Sequence, residues 1–281
     1  MKRIQLMITS SCNSTCSYCM SKDITGDETQ IDPSFLDKID FTRLLLFGGE
    51  PLLYKDLCDK FRDYALSRNL EIVLPTNGLL LTEEIIEQYP RILISSNGTK
   101  ESSELTRQPY IPKLLSFEHK EKCCIGLRII PETADRLYID FRYFWDAGYR
   151  LFNIAPIAEN DWDDSALNSY RDNIIKILQD TEQGQVWNWR CGGICVPYNK
   201  TYCIDQFGEE WACARYYSEK IRIKRIPEKY FQKCLKCDNR DYCYFNCHYL
   251  NLIKTGTMVM PYPTVCKFAQ IHREATECTK T

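Results

Sequence analysis

Residues 1–19 read MKRIQLMITSSCNSTCSYC, a short apolar segment followed at once by three closely spaced cysteines. The segment Lys2–Ile8 is rich in Ile, Leu and Met, which predicts a β-strand. Cys12, Cys16 and Cys19 then give C-x3-C-x2-C spacing in the loop after this strand. Three thiolates on one loop can hold a cubane iron–sulfur cluster and leave one iron open for an outside ligand. A three-cysteine zinc site, or three thiols that lie close by chance, are the alternatives for this loop.

Strand-like and helix-like segments alternate from this first strand to about residue 185. The further predicted strands are Arg43–Phe47, Glu71–Leu74, Arg91–Ile94, Cys124–Ile130 and Leu151–Ile154. The predicted helices are Pro33–Ile39, Lys55–Arg68, Thr82–Tyr89, Tyr110–Glu118, Thr133–Ala147 and Ser165–Asp180. Strands separated by helices are typical of a parallel sheet with right-handed crossovers. Six such units are too few for a closed eight-fold barrel, so residues 1–185 are predicted to form an open, partial (β/α)6 TIM-like barrel with its binding site at the carboxyl ends of the strands.

The composition excludes several broad classes of protein. The chain has 281 residues, a net charge of −2 and 16 cysteines. The low net charge provides no basic field for nucleic acid, and no segment is apolar for long enough to cross a membrane. The apolar segment at the N-terminus is too short for the core of a signal peptide. A chain of this length can also bury a core without disulfides. A cytoplasmic chain whose thiols bind metal is therefore expected.

Residues 186–281 form a second region with a different pattern, in which 10 cysteines lie between positions 191 and 278. Thr201–Asp205 and Glu210–Ala212 flank a turn at residues 206–208, which predicts a β-hairpin. A small domain held together by metal fits this segment better than one with a large apolar core. Zinc is the alternative to iron–sulfur here, because C-x2-C pairs also occur in zinc knuckles.

The N-terminal loop, with Tyr18 before its last cysteine, resembles the signature of the radical S-adenosylmethionine (radical SAM) enzymes. Gly48, Gly49 and Glu50 after the second strand are similar to the GGE motif with which that family holds the methionine amino group. Weaker matches follow the later strands, and each also has a plain reading as a turn or a strand end. The family resemblance implies that residues at these strand ends contact SAM, namely Thr76, Asn77, Ser95, Asn97, Arg128 and Ile154.

The spacing Cys234-x2-Cys237-x5-Cys243-x3-Cys247, followed by Cys266, resembles the SPASM extension of radical SAM maturases. The resemblance implies two auxiliary [4Fe–4S] clusters in addition to the SAM-binding one. The inner cluster would take Cys191, Cys195, Cys213 and Cys247, and the outer cluster Cys234, Cys237, Cys243 and Cys266. One departure concerns the 16 residues between Cys191 and Gly208, slightly more than is usual. Cys203 is a rival to Cys195, although its strand pattern predicts a packed side chain.

The family resemblance also implies an activity. Such enzymes cleave SAM to a 5′-deoxyadenosyl radical and, in the SPASM group, mostly modify peptides oxidatively, by crosslinking, epimerisation or excision. Ala214 occupies the position where sulfatase maturases carry a catalytic Asp, which argues against formylglycine formation. The expected partners are a peptide substrate, an external electron donor of the flavodoxin or ferredoxin type, and a separate leader-binding protein, because the chain enters its first strand at residue 2. A radical SAM dehydrogenase of a small molecule and a zinc-stabilised interaction module are the alternatives.

Overall fold

The computed structural model describes residues 3–19, 29–181, 186, 201–213, 223, 234, 236–243, 248–258 and 260–279. The chain divides into two compact units, which are described separately. The first unit comprises Met1–Ser95, Ile111–Cys124 and Val196–Ile226, and the second unit comprises Ser96–Tyr110, Ile125–Cys195 and Pro227–Thr281. Of the segment 182–200, where the predicted domain boundary lies, the structure describes Val186 alone, so that boundary stays a prediction.

The described residues include eight strands. They are β1 (Arg3–Thr9), β2 (Arg43–Gly48), β3 (Glu71–Thr76), β4 (Ile92–Ser95), β5 (Cys123–Ile129), β6 (Leu151–Pro156), β7 (Thr201–Ile204) and β8 (Glu210–Trp211). In the first unit the strand order is β4-β3-β2-β1-β7-β8. In the second unit, which holds β5 from Ile125 onward, β5 and β6 are neighbours. Successive pairs from β1 to β4 are parallel. All six strands predicted for residues 1–185 are confirmed within two residues at each end.

The helices lie between and after the strands. They are α1 (Lys55–Ser67), α2 (Glu83–Gln88), α3 (Lys100–Thr106), α4 (Leu137–Trp145), α5 (Asp164–Asp180), α6 (His248–Thr255) and α7 (Pro263–Cys278). Shorter 3₁₀ segments span Pro33–Lys38, Pro51–Tyr54, Pro112–Ser116, Lys120–Lys122, Pro131–Arg136 and Arg240–Tyr242. The helices predicted over residues 33–39 and 110–118 are wrong in type, because the 3₁₀ segments Pro33–Lys38 and Pro112–Ser116 form there instead. The helix predicted from Thr133 is interrupted, since α4 follows a 3₁₀ turn.

The core of the first unit forms around β1. Ile4, Leu6 and Ile8 are completely buried, and so is Met7 on the opposite face of the strand. This burial on both faces is typical of a central parallel strand. Helix α1 covers the sheet with Cys58, Phe61 and Ala65, whose spacing of three and four residues places them on one face.

The predicted hairpin is confirmed, and it continues the sheet of the first unit. Strand β7 pairs in parallel with β1 and antiparallel with β8. Asp205 holds the turn: its Oδ1 accepts hydrogen bonds from the backbone N–H groups of Phe207 and Glu209, each at 2.9 Å. Its Oδ2 accepts a third, at 2.8 Å, from the indole of Trp211. The buried Asp205 carboxylate therefore fixes the geometry that presents β7 to β1.

Aromatic side chains form the core of the second unit. The rings of Phe141 on α4 and Phe152 on β6 lie 4.7 Å apart. Phe268 on α7 packs edge-on against Trp162 and Tyr170, at 4.9 and 5.3 Å. These contacts join α5 to α7, the helix that carries Cys266. In the part of the chain that the structure describes, no helix is both long and apolar enough to span a bilayer.

Candidate metal and cofactor site

The three cysteines of the N-terminal loop follow β1 directly. The backbone N–H of Cys19 donates to the carbonyl of Cys16 at 3.2 Å, which folds the second half of the loop into a turn. Desolvation raises the pKa of Cys12 even though its side chain reaches solvent, and the nearby thiols of Cys19 and Cys16 add to the effect. Burial also raises the pKa of Cys16, against hydrogen bonds from Ser14 and Tyr18. The loop therefore brings the predicted ligands close enough to influence one another electrostatically.

Thiolate is the donor that iron–sulfur clusters require, and this loop supplies three of them. Among the described residues, however, no three Cys, His, Asp or Glu side chains are arranged around a common point as a metal ion would need. The loop therefore fits such a cluster by the chemistry of its donors, and its role in ligation stays a prediction.

Gly48 and Gly49 let the end of β2 approach the cysteine loop closely. A Cβ on Gly48, whose φ is +142°, would lie 1.9 Å from the carbonyl oxygen of Thr9, and one on Gly49 would lie 2.0 Å from that of Ser11. The backbone N–H of Gly49 donates to Thr9 and that of Glu50 donates to Ser11, both at 2.8 Å. Only glycine fits at these two positions, so the motif serves to join β2 to the loop after β1.

Glu50 is fully buried, and its carboxylate accepts three hydrogen bonds. The donors are the Thr76 hydroxyl at 2.8 Å, the Asn77 backbone N–H at 2.6 Å and the Leu52 backbone N–H at 3.1 Å. Burial raises the pKa of Glu50, while these hydrogen bonds lower it in part. These three donors are uncharged, although a buried carboxylate is usually stabilised by a cation. The pocket around Glu50 therefore suits a ligand that brings an ammonium group.

Asn77 joins this carboxylate to the cysteine loop. Its side-chain Nδ2 donates to the Asn13 Oδ1 at 2.7 Å and lies 3.9 Å from the Cys12 Sγ. The structure thus brings four predicted site residues together in the first unit: Cys12, Glu50, Thr76 and Asn77. Asn13 was not predicted, and its position beside Cys12 was the only signal in the sequence.

A second group of predicted residues lies together in the second unit. The Asn97 Oδ1 accepts from the backbone N–H of Arg128 at 3.1 Å, and the Arg128 Nη1 donates to the Asn153 Oδ1 at 2.9 Å. Asn97 is buried, and its Nδ2 has no hydrogen-bond partner within the described residues. That amide suits a ligand oxygen, because a buried donor is rarely left unsatisfied. Ile154 is also buried, one residue after Asn153, whose part in this group was missed.

The described cysteines of the outer set are also gathered by the backbone. Consecutive hydrogen bonds run from Cys237 N–H to Cys234 carbonyl, from Arg240 to Cys237 and from Cys243 to Arg240, at 3.2, 3.0 and 3.2 Å. Cys266 lies in the first turn of α7, and the nearby Cys237 thiol adds to the rise in its pKa that burial causes. Cys234, Cys237, Cys243 and Cys266 therefore occur in one part of the second unit.

The inner set is mostly outside the described residues, where Cys191, Cys195 and Cys247 lie. Cys213 is described and is half-buried. Cys203, on β7, is 1% exposed, and its pKa is raised well above its usual value by burial and by the nearby Cys213 thiol. The prediction that Cys203 is packed is confirmed, while the choice between it and Cys195 as a ligand stays open.

Three curated proteins illustrate the sequence similarity of this chain; no family model matches it. A GTP 3′,8-cyclase of Clostridium perfringens is 28% identical over 198 residues, which cover 62% of this chain and 61% of that protein. A probable GTP 3′,8-cyclase of Methanocaldococcus jannaschii is 32% identical over 135 residues, covering 45% and 44%. An AdoMet-dependent heme synthase of Methanosarcina barkeri is 35% identical over 104 residues, covering 32% and 30%. The matches span less than two thirds of the length of each relative.

The fold is similar to solved structures over almost the whole chain. A structure of anSMEcpe with bound AdoMet matches with a TM-score of 0.71 and 15% identity, covering 99% of this chain and 97% of that one. Streptococcus suis SuiB bound to its precursor peptide SuiA matches with a TM-score of 0.65 and 15% identity, covering 94% and 75%. Both have the radical SAM fold with a SPASM extension, so the predicted α/β partial barrel followed by a cysteine-rich SPASM region is confirmed as a fold.

Proposed function

We propose that this chain is a radical SAM oxidoreductase that modifies a peptide with a radical derived from SAM. The observation that carries the proposal is the arrangement in the first unit. A buried carboxylate with uncharged donors, Glu50, is joined through Asn77 to the loop of Cys12. The first unit thus offers a site for a ligand ammonium, at Glu50, next to a site for a thiolate-bound metal, at the loop of Cys12.

Different residues of the first unit would bind the cluster and SAM. Cys12, Cys16 and Cys19 would hold a [4Fe–4S] cluster, and Glu50 would pair with the ammonium of SAM. When bound, the cluster and SAM would supply the radical chemistry needed to remove a hydrogen atom from the substrate. The protein's task is to orient these groups and to exclude water. The glycines at 48 and 49 permit the close backbone approach on which that orientation depends.

Cluster assembly is coupled to proton release. Desolvation raises the pKa of both Cys12 and Cys16, so in the metal-free protein these thiols retain their protons at neutral pH. Iron binds thiolate, and the protons must therefore leave as the cluster forms. Assembly should be favoured as the pH rises above neutrality.

The remaining predicted ligands would hold two auxiliary [4Fe–4S] clusters. The inner one would take Cys191, Cys195, Cys213 and Cys247, and the outer one Cys234, Cys237, Cys243 and Cys266. Four cysteine ligands leave no open iron, which favours a role in electron transfer over substrate binding. An external donor of the flavodoxin or ferredoxin type would supply the first electron. A cytoplasmic location suits this proposal, because the thiol ligands must stay reduced.

A peptide is the favoured substrate. Two structures with this fold contain peptides, anSMEcpe with the Cp18Cys peptide and SuiB with SuiA. For this chain we retain crosslinking, epimerisation and excision as the reaction, with a separate leader-binding protein as a partner. Ala214, next to Cys213 in the sequence, argues against formylglycine formation. Co-purification of a small leader-binding protein together with a precursor peptide is the expected interaction, and its absence would contradict this part of the proposal.

A small molecule is the second candidate substrate, because the curated relatives include GTP 3′,8-cyclases. The two candidates are separated by incubating the reconstituted enzyme with SAM and a reductant, with either GTP or peptides encoded beside its gene. Mass spectrometry should show a peptide lighter by about two mass units if crosslinking or oxidation occurs, and unchanged GTP. The variant Cys16→Ala should form no product, whereas Cys278→Ala, which changes an exposed thiol outside every predicted ligand set, should retain activity. Conversion of GTP with no modified peptide would favour the small-molecule reading.

A further inference from the structure

We propose that Asn77 is a positioning residue that donates an amide hydrogen to the Cys12 thiolate and thereby raises the reduction potential of the cluster held by that loop. This inference rests on the proposed function, because it concerns the cluster that Cys12 would ligate. It gives Asn77 a role different from a direct contact with SAM, which is what the family resemblance implies.

The orientation of the Asn77 amide is fixed by its neighbours. The backbone N–H of Leu79 donates to the Asn77 Oδ1 at 3.0 Å, and a backbone N–H can only donate. The oxygen must therefore face Leu79, and the amide nitrogen must face the opposite way, toward the cysteine loop. The Asn13 Oδ1 lies 2.7 Å from Nδ2 on that side and accepts its hydrogen bond.

The two hydrogens of the Asn77 amide have two acceptors. One is directed to the Asn13 Oδ1, and the second is directed to the Cys12 Sγ at 3.9 Å, within the range of a hydrogen bond to sulfur. A thiolate is a much better acceptor than a thiol, so this contact strengthens when Cys12 loses its proton. Asn77 is 8% exposed and its contact with Cys12 is partly buried, and partial exclusion of water strengthens a hydrogen bond to a charged sulfur.

The backbone around Asn77 holds the amide in place. Its own N–H donates to the Glu50 Oε2 at 2.6 Å, and the N–H of Gly78 donates to the Thr76 Oγ1 at 3.0 Å. Gly78 has a φ of +84°, a left-handed value that glycine adopts without strain. The end of β3 is therefore tied to Glu50 and to its own turn, so the amide has little freedom to leave Cys12.

The consequence for the cluster follows from charge. Reduction adds negative charge to the cluster and its thiolates, and a donor aimed at one of these sulfurs stabilises the reduced state more than the oxidised state. Removing the donor should make the midpoint potential more negative. At a fixed reductant potential, the ratio of reduced to oxidised cluster should fall about tenfold, the effect expected for one hydrogen bond to a charged group.

The test compares Asn77→Asp with the wild-type holoenzyme. Aspartate retains an oxygen acceptor for Leu79 and the backbone N–H that binds Glu50, but it lacks the amide hydrogens. The midpoint potential of the SAM-binding cluster is measured by titration followed with electron paramagnetic resonance, together with iron content. Asn69→Asp is the matched control, because it makes the same chemical change at an exposed position of the first unit. Asn77→Ala is a second variant that removes the amide without adding charge.

A negative shift of the midpoint potential in both Asn77 variants, with full iron content and an unchanged potential in Asn69→Asp, is the expected result. An unchanged potential in iron-loaded Asn77→Asp and Asn77→Ala would overturn the inference and leave the proposed function intact, since Asn77 would then serve only to form its turn. If both variants fail to take up iron where the control does, the inference of a tuning role is also overturned in favour of a folding role. A wild-type protein without a SAM-binding cluster would overturn the proposed function itself.

Discussion

The Tyr170 hydroxyl lies 2.9 Å from the His272 Nε2 in the interior of the second unit, and this contact joins α5 to α7. The other ring nitrogen, Nδ1, lies 3.3 Å from the carbonyl oxygen of Tyr242. A carbonyl oxygen can only accept, so Nδ1 carries the hydrogen and Nε2 accepts from Tyr170. Since Tyr242 precedes Cys243 and α7 carries Cys266, neutral His272 connects two elements of the outer cysteine set.

Stability should decrease at mildly acidic pH because of His272. Burial lowers the pKa of His272 from 6.5 to about 4. The unfolded chain therefore binds a proton between these two pH values while the folded chain does not. The stability that depends on neutral His272 is fully present above pH 6.5 and is lost progressively as the pH falls toward 4. The loss amounts to about 3 kcal/mol in the free energy of unfolding.

Urea unfolding of the metal-free protein at pH 7 and pH 5 measures this effect. His272→Gln should be less stable than wild type at pH 7 but should lose less stability between the two pH values. His119→Gln, at a partly exposed histidine in the first unit, should keep the wild-type pH dependence. An identical loss in wild type and His272→Gln would show that another group titrates.

Gly49→Ala should prevent the cysteine loop from packing on β2. Its Cβ would lie 2.0 Å from the Ser11 carbonyl oxygen, and neither backbone segment can move without breaking the Glu50–Ser11 hydrogen bond. A decrease of about 3 kcal/mol or more in the free energy of unfolding is expected, with loss of iron from the cluster proposed for this loop. Thermal unfolding and iron analysis provide the measurement.

Gly256→Ala is the control for backbone strain alone. Gly256 has a φ of +76°, but a Cβ there would meet no atom within 4 Å. Gly256→Ala should lower the free energy of unfolding by about 1 kcal/mol and leave the iron content unchanged. Equal effects of the two substitutions would mean that the close approach at Gly49 is not required.

Glu50→Gln should weaken SAM binding. The change removes the negative charge and places an NH2 group against donors, the Asn77 N–H among them. An increase of about 10- to 100-fold in the Kd for SAM is expected, because a charge-assisted hydrogen bond is lost. Anaerobic titration calorimetry measures it, with the exposed Glu84→Gln as a control that should bind as wild type does. Unchanged affinity in Glu50→Gln would remove this carboxylate from the SAM site.

Loss of one outer-cluster ligand should separate SAM cleavage from product formation. Cys234→Ala is expected to abolish the modified product while some 5′-deoxyadenosine is still released, because the loop proposed to hold the SAM-cleaving cluster lies in the first unit. Chromatographic measurement of both products on the same reaction checks this. Normal product formation by Cys234→Ala would exclude the outer cluster from the reaction.

Local signals in the sequence account for most of the predicted elements. Short apolar runs marked β1 to β6. Gly48, Gly49 and Glu50 were recognisable from their resemblance to the GGE motif and from their position at a strand end after the cysteine loop. Helix α3 was not predicted, since its Ser- and Thr-containing sequence lacks an apolar stripe. It is stabilised from a distance: the Asp140 carboxylate accepts hydrogen bonds from the Thr99 backbone N–H and hydroxyl, at 3.0 and 2.7 Å.

Local sequence signals could not predict the contacts between distant segments. The parallel pairing of β7 with β1 joins residues almost 200 positions apart. No periodic pattern in the sequence predicts which edge of the sheet a hairpin will pair with. The contact between Asn77 and Cys12 likewise depends on how β3 lies relative to the loop after β1. The sequence indicated that both residues belong to a site, but only their spatial arrangement indicates that one acts on the other.

The central claim is that the loop of Cys12, Cys16 and Cys19 holds a cluster that cleaves SAM. Its most direct test is the release of 5′-deoxyadenosine from SAM by anaerobically reconstituted protein with a strong reductant, comparing wild type with the triple substitution of these cysteines by alanine. Wild type should contain about four more irons per chain than the variant, as one cubane requires, and should alone release 5′-deoxyadenosine. Equal iron content and equal release in the two proteins, or zinc in place of iron in wild type, would contradict the account.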